Sequence, residues 1–407
     1  MNCRHCGQQL HTKCLDLGSS PPSNAYLDET ELRKAEATFP LKLMVCDNCW
    51  LVQTEDFFDA NDLFTPNYAY ISSVSGTWLK HVETYATEII SELSLTHANF
   101  VVEVASNDGH LLQHFQSAGI PCLGVEPTKL AADLAESQGI DVKREFFGAS
   151  ASETIVNEYS QAHLIIGNNV LAHVPDINDF AKGLKRLLRS GGVITLEFPH
   201  VMRLIEGTQF DTVYHEHFSY LSLWTVISIL QAAELRVWRV KELTTHGGSL
   251  RVYACHESDT REEESSVAGL LDEEKRRGLR TLQPYLDFQK RTDALRDEAL
   301  AFLKNLKTLG KSVAGYGAAA KGNTFLNFAD IKSDLIRFVC DASGYKQGKY
   351  LPGSHIPVVS PQKLHDDPPD YLVVLPWNLL EEVAALRGSK ISRSTKLVTF
   401  IPELRLL

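Results

Sequence analysis

The sequence predicts an α/β protein in three parts: a doubly wound parallel sheet at the centre, a small metal-binding module before it and a second α/β unit after it. Three observations predict this. Apolar strands alternate with amphipathic helices from about residue 76 to 257, two Cys-x-x-Cys pairs precede them, and a second strand–helix alternation begins near Lys311. A chain of 407 residues is also too long for one ordinary core. The parts are placed at 1–75, 76–257 and 258–407.

The first part reads as irregular, cysteine-paired and aromatic-rich. In the second, NFVVEVAS is a buried strand stopped by Asn107-Asp108-Gly109, and HLLQHFQSAG a helix closed by Gly119. PCLGVEP is the next strand and TKLAADLAESQG its helix. DVKREFF and ASETIVNEYSQ form the third pair. AHLIIGNNVLAHV is a fourth strand running into a loop, and INDFAKGLKRLLRSGG an amphipathic helix with a basic last turn and a glycine stop. GVITLEFPH is the fifth strand. The helix LWTVISILQAAEL follows, then RVWRVKELT and SLRVYACHE as a hairpin. Such alternation implies a parallel sheet covered on both faces, with ligands at the carboxyl ends of its strands. A closing hairpin after five βα units is the arrangement of the class I methyltransferase fold. The charged run ESDTREEESS then marks a boundary leading into helix.

With 40 basic and 51 acidic residues the net charge is −11, which argues against a general nucleic-acid binder. No apolar run is long enough to span a membrane, and MNCRHCGQQL lacks the pattern of a secretory signal, so the cytoplasm is the expected location. In that reducing compartment close cysteine pairs read as metal ligands.

Four constellations carry chemistry. Cys3-x-x-Cys6 and Cys46-x-x-Cys49 have the spacing of two knuckles that together supply four thiolates to one zinc ion. Cys14, His5 and His11 are close enough to be alternates, but the two-knuckle set is simpler, and four thiolates leave no open position for catalysis. Second, the turn Glu103–Gly109 is rich in small residues, with Ala105 and Ser106 where glycines are usual in methyltransferases, and Asn107 before Gly109. Glu126 ends the next strand, 23 residues after Glu103, where a carboxylate can accept ribose hydroxyls. Turn and acid favour a nucleoside cofactor; nicotinamide dinucleotides stay open here, although no G-x-G-x-x-G follows the strand. Asn168, at the end of the fourth strand, joins this cofactor-binding set.

Third, Tyr214-His215-Glu216-His217 sets acid–base groups among aromatics, where pKa values shift. Metal binding and plain packing are the other readings of this cluster. His173 lies just past the fourth strand. Fourth, Gly315–Thr324, following the strand KSVA, places Tyr316, Gly317, Lys321 and Asn323 at a strand–helix turn that can cradle phosphate. Asp341 can meet a ribose and Lys346 and Lys349 can reach phosphates. A tight packing turn is the plainer alternative.

The paired knuckles, NYAYISSVSGTW, VEVASNDGHLLQ, GVEP, NNVLAHVPD, YHEHFSYLS, THGGSLRVY, GYGAAAKGN and KQGKYLPGSHIPV occur in one order. Together they resemble, over essentially the whole chain, the sugar C-methyltransferases that act on nucleotide-linked 4-keto-deoxyhexoses. The resemblance implies that the middle domain binds S-adenosylmethionine and that a Rossmann-like C-terminal domain helps to hold the nucleotide-diphosphate sugar. It implies methylation at C-3, beside the C-4 ketone, with His217 as base. Tyr214 and Glu216 would orient it, Tyr68 and His173 would fall in the active site, and His246 would line the pocket. A monomer is favoured. The competing readings are an O- or N-methyltransferase, an NAD-dependent sugar oxidoreductase using the Gly315 loop, and a zinc-bearing interaction module with a dead enzyme core.

Overall fold

The computed structural model describes residues 1–55, 57 and 71–407. At the N-terminus, Leu41, Leu43 and Val45 are buried while Lys42 and Met44 between them are partly exposed, the period of two that makes a one-sided strand. The first part is accordingly not irregular. It holds an antiparallel sheet of Thr12–Ser20 (β1), Phe39–Val45 (β2) and Val52–Thr54 (β3). Register shifts between Lys13 and Leu15 and between Asp16 and Ser19 break the alternation of β1, so that no simple pattern announces it.

The central part begins with helix Gly76–Glu92 (α1) and then alternates as foreseen. Its elements are Val101–Val104 (β4), His110–Ser117 (α2), Cys122–Val125 (β5), Lys129–Ser137 (α3), Val142–Lys143 (β6), Ala149–Glu158 (α4), Ala162–Asn168 (β7), Ile177–Leu187 (α5) and Leu188–Pro199 (β8). After Val201–Glu206 (α6) come Ser219–Tyr220 (β9), Leu223–Gln231 (α7), Leu235–Leu243 (β10) and Ser249–His256 (β11). The sheet order is β10-β11-β8-β7-β4-β5-β6. Six strands point the same way and β11 runs antiparallel to both its neighbours, which is the class I methyltransferase arrangement. The short β9 belongs elsewhere: it pairs with β3 and completes the N-terminal sheet.

Two elements differ from expectation. DVKREFF pairs only at Val142–Lys143, because Arg144 turns to the carboxylates of Asp133 and Glu136 on α3 and the chain leaves the sheet edge. Gly191 and Gly192 do not stop α5. The chain enters β8 directly at Leu188, and the glycines lie where its register with β7 shifts, Gly191 with φ +74°.

The C-terminal part opens with two helices, Ser265–Arg276 (α8) and Gln283–Thr308 (α9). Val313–Tyr316 (β12), Ala320–Phe328 (α10), Val339–Cys340 (β13), Val358–Val359 (β14), Tyr371–Val374 (β15), Lys396–Thr399 (β16) and Arg405–Leu406 (β17) follow. They form a sheet of order β14-β13-β12-β15-β16-β17, parallel except for β17. One continuous apolar core runs from Cys3 and Leu43 through Leu196 and Phe210 to Phe325 and Phe400, so the three parts share their interior. Among the described residues no helix is long and apolar enough to cross a membrane.

Candidate active site and zinc site

The two knuckles converge. The Sγ atoms of Cys3, Cys6, Cys46 and Cys49 all lie within 4.8 Å of one another. The Cys3–Cys49 and Cys6–Cys46 pairs are 3.5 and 3.6 Å apart. A disulfide needs about 2.05 Å, whereas tetrahedral Zn–S bonds of ~2.3 Å put the sulfurs about 3.8 Å apart, so the set fits zinc. Gln53 Nε2 donates to Cys3 Sγ at 3.3 Å, the kind of contact that orients a metal-bound thiolate. Cys14 is apart from the cluster: its thiol donates to the Leu43 carbonyl, and burial pushes its pKa up to about 12. His5 is likewise engaged elsewhere, with Asn178 and Ser228.

At the carboxyl end of β4 the backbone takes three left-handed steps, Ala105 (φ 55°), Asn107 (φ 50°) and Gly109 (φ 73°). At Gly109 an added Cβ would come within 3.0 Å of Ala135 Cβ, so only glycine suits that step. Glu126 is buried at the tip of β5. Its Oε2 accepts from the Asn107 amide (3.0 Å), and its Oε1 from the Thr128 amide (2.8 Å) and hydroxyl. Desolvation raises its pKa. Glu103 is buried too, and desolvation, with Asp108 and Glu126 nearby, holds its carboxyl well above the usual range. Among the described residues Glu103 Oε2, Ser106 Oγ and both side-chain polar atoms of Asn168 are buried without a protein partner. Unpaired polar atoms are costly. A nucleoside-bearing cofactor would satisfy such a set at the mouth of this sheet, so these residues fit S-adenosylmethionine.

A second group gathers beside it. His217 Nδ1 donates to the Thr212 carbonyl (3.0 Å), which fixes the tautomer and leaves Nε2 as the acceptor, 2.9 Å from the Tyr214 hydroxyl. His173 is anchored alike, Nδ1 to the Glu216 carbonyl at 2.8 Å. The two rings meet edge to face with centroids 4.5 Å apart. Burial lowers the His217 pKa well below its ordinary value, with His173, His246 and Lys321 adding to the effect, and lowers that of His173 to about 4. Both rings are therefore neutral near pH 7. His246, left-handed at φ 54°, contacts Asn169 Nδ2 (3.3 Å) and is lowered to about 4, mainly by burial. His215 faces away, its Nε2 on the carbonyls of Phe39 and Pro40. Tyr68 lies outside the described residues.

The Gly315 turn is wired differently from a phosphate cradle. Gly315 and Tyr316 belong to β12. The amides of Gly317, Ala318 and Ala319 go to the Cys340 carbonyl, Asp341 Oδ2 and the Gly317 carbonyl. Gly317 (φ 87°) is required, since a Cβ would meet Pro376 at 2.5 Å. The first turn of α10 carries Lys321, whose ammonium donates to Asn378 Oδ1 at 3.3 Å. The ammonium of Lys321 lies 4.8 Å from the Trp377 ring centroid, and its field reaches His217 and His246. Asn323 is buried and holds the N-terminal strap, donating to the Ser23 carbonyl at 2.6 Å. Lys346 donates to the Ala318 carbonyl (2.8 Å) and lies 3.7 Å from Asp341. Lys349 is in the same turn, its amide on the Lys346 carbonyl.

Several participants escaped sequence reasoning. Asn24 Nδ2 donates to Glu216 Oε2 (2.6 Å), and the Tyr26 hydroxyl to the Ala318 carbonyl. Both come from the strap that follows β1, and nothing local marks them. Asp211 is buried against Trp377, whose Nε1 donates to its Oδ2 at 2.8 Å. Its proximity to YHEHF was the available signal.

Three family models cover the chain: a candidate zinc binding domain at residues 3–64, a methyltransferase domain at 78–240 and a C-methyltransferase C-terminal domain at 244–402. The C-methyltransferase NovU of Streptomyces niveus is 33% identical over 405 residues, an alignment spanning 100% of this chain and 96% of NovU. Among solved structures, an S-adenosylmethionine-dependent methyltransferase from Clostridium acetobutylicum covers 43% of this chain and 91% of its own (12% identity, TM-score 0.34). Magnesium protoporphyrin IX methyltransferase from Synechocystis, with bound S-adenosylmethionine, covers 43% and 78% (13%, TM-score 0.33). Superpositions that loose add nothing to the strand order. The methyl donor is S-adenosylmethionine, the metal is a structural zinc, and the chain belongs to the family of C-methyltransferases that includes NovU.

Proposed function

We propose that the chain methylates C-3 of a nucleotide-linked 4-keto-6-deoxyhexose in the making of a branched-chain deoxysugar. One observation carries the reading: a neutral, buried imidazole, His217, whose tautomer is fixed by the Thr212 carbonyl so that Nε2 keeps its lone pair beside Tyr214. A plain sugar C–H is far too weak an acid for imidazole. A neighbouring ketone changes that, because the electron pair left on C-3 passes to the C-4 oxygen as an enolate.

In this reading His217 Nε2 takes the C-3 proton, and the Tyr214 hydroxyl, released from Nε2, donates to the C-4 oxygen. Glu216, held by Asn24, and His173, whose ring meets that of His217 edge to face, help to orient the base, with Tyr68 and His246 lining the pocket. Glu126 holds the ribose of the cofactor, and the Glu103–Gly109 turn with Asn168 holds its amino-acid end. Bound there, S-adenosylmethionine supplies an electrophilic methyl group. The nucleotide and diphosphate lie against residues 258–407, with positive charge from Lys321, Lys346 and Lys349. Tyr316, Gly317, Asn323 and Asp341 shape that turn. Residues 1–75 and 76–257 are the zinc and methyltransferase domains of a monomer acting in the cytoplasm, where a reducing milieu preserves thiolates. The match to a C-methyltransferase over the full chain favours carbon over oxygen or nitrogen as the acceptor.

The test is incubation with methyl-labelled S-adenosylmethionine and thymidine-, guanosine- and cytidine-diphosphate 4-keto-6-deoxyhexoses. The expected product carries the label on C-3. Label on oxygen or nitrogen, or equal methylation of the 4-hydroxy form, would overturn the reading. His217→Asn should keep cofactor affinity within about twofold yet lose on the order of 10²-fold or more in turnover. Near-wild-type turnover removes His217 from the base role.

A further inference from the structure

The first knuckle does more than hold metal. Between Cys3 and Cys6 the two intervening side chains leave the cluster, Arg4 for the loops beside His173 and His217 and His5 for helices α5 and α7. Arg4 Nη1 donates to the Pro175 carbonyl (2.9 Å), two residues beyond His173. Its Nη2 donates to the Thr54 carbonyl (3.2 Å), and its guanidinium carbon sits 5.3 Å from the ring centroid of Phe218, the residue after His217. Thr54 in turn grips the His217 segment twice, its hydroxyl on the His217 carbonyl and its amide on the Phe218 carbonyl, both at 3.2 Å. The Phe218 amide closes the circuit on the Ala172 carbonyl at 2.8 Å. His5 fastens the knuckle alongside: Nδ1 meets Asn178 Oδ1 (2.8 Å), Nε2 meets Ser228 Oγ (3.2 Å), and Asn178 Nδ2 donates back to the His5 carbonyl (2.8 Å).

We infer that Arg4 is a positioning residue for the methyl-transfer site: its planar guanidinium bridges the His173 loop and the His217 segment, so that the zinc-held knuckle sets the spacing of the two imidazoles. The guanidinium is suited to this because its rigid fork addresses two carbonyls at once while its face covers an aromatic ring. The guanidinium thus touches the His173 loop at Pro175 and the His217 segment at the Phe218 ring, and through the Thr54 carbonyl it steadies the residue that bonds the His217 and Phe218 carbonyls. The inference rests on the proposed catalytic use of His217 only for its kinetic consequence; the geometric part stands apart from it.

The experiment compares wild type, Arg4→Ala, His217→Asn and the double variant. Zinc per chain and cofactor affinity should stay unchanged in Arg4→Ala, the first within error and the second within about twofold. The imidazole ¹⁵N resonances of His217 and His173, assigned with single histidine variants, should shift away from the fixed Nδ1–H tautomer. Turnover on the 4-keto sugar should fall on the order of 10- to 100-fold, the scale of small misplacements in an active site, and add no further loss in the His217→Asn background. Unmoved imidazole resonances, loss of zinc or of cofactor binding, or full additivity of the two substitutions would each overturn the assignment. If instead His217→Asn turns over normally while Arg4→Ala shifts the resonances, the base reading fails and the positioning of the rings stands.

Discussion

Ala105 and Asn107 hold backbone conformations that glycine usually supplies, at φ 55° and 50°. The left-handed region costs an alanine roughly 1–2 kcal/mol, and what holds the turn there is a set of contacts around Asn107: its amide on Glu126 Oε2, and its Oδ1 accepting from the Ser72 amide at 2.9 Å. Ala105→Gly should therefore be neutral or stabilise by up to about 1 kcal/mol, relief of strain being partly offset by the freer unfolded chain. Asn107→Gly, which forfeits the Ser72 contact, should cost about 1 kcal/mol. Urea unfolding of both variants checks the pair of signs. The glycine-poor spelling was visible in the sequence and weakened the motif; the turn it encodes was not, because propensity at 105 and 107 speaks against it and the compensating contacts come from elsewhere. His217 is a similar case. YHEHF marks it, but the Thr212 carbonyl that fixes its tautomer and Asn24, which contacts Glu216, are supplied by folding.

At the scale of elements, most strands and helices of the central sheet were legible because the strands are apolar and the helices amphipathic and stopped by glycine, as at Gly119 and Gly139, whereas the two-residue β6 was overread. The N-terminal sheet was not: β1 is bulged, and the partner of β3 is a two-residue strand at Ser219–Tyr220. This pairing ties metal to fold. Cys46 and Cys49 lie in the turn joining β2 to β3, the Leu51 carbonyl accepting from the Cys46 amide at 3.0 Å. Cys46→Ser should abolish the single equivalent of zinc and lower the thermal midpoint of the whole chain, since a structural zinc site can contribute ~10 kcal/mol or more to a small module. Metal analysis beside a melting curve decides it; a metal-free protein that melts like wild type would contradict the structural role.

For the molecule as a whole, the three parts meet where buried imidazoles cluster. His173 and His246 are held to about 4 by burial, against an ordinary value near 6.5. Above that ordinary value both are neutral whether the chain is folded or not. Between pH 6.5 and 4 the unfolded chain takes up protons that the folded chain refuses, so their contribution to stability falls with falling pH and levels off below 4. Asp211, pushed up to about 6 chiefly by burial, acts in the opposite sense over the same range, so the comparison of variants is the diagnostic one. Thermal unfolding from pH 7.5 to 4 should show a shallower acid loss in His173→Gln than in wild type. Equal slopes would mean that His173 titrates alike in both states.

The strand that closes the N-terminal sheet also has a consequence for how the chain is made. Both knuckles emerge well before Ser219 and Tyr220, about 170 residues later in the chain, so β3 keeps an unsatisfied edge until those two arrive. At ~5–20 residues per second that interval is on the order of 10–30 s. The nascent chain thus passes through a stage in which a metal-loaded fragment presents a bare β-edge, the kind of surface on which growing polypeptides join one another, and overproduction under crowded translation conditions is where this protein would first be lost to inclusion bodies.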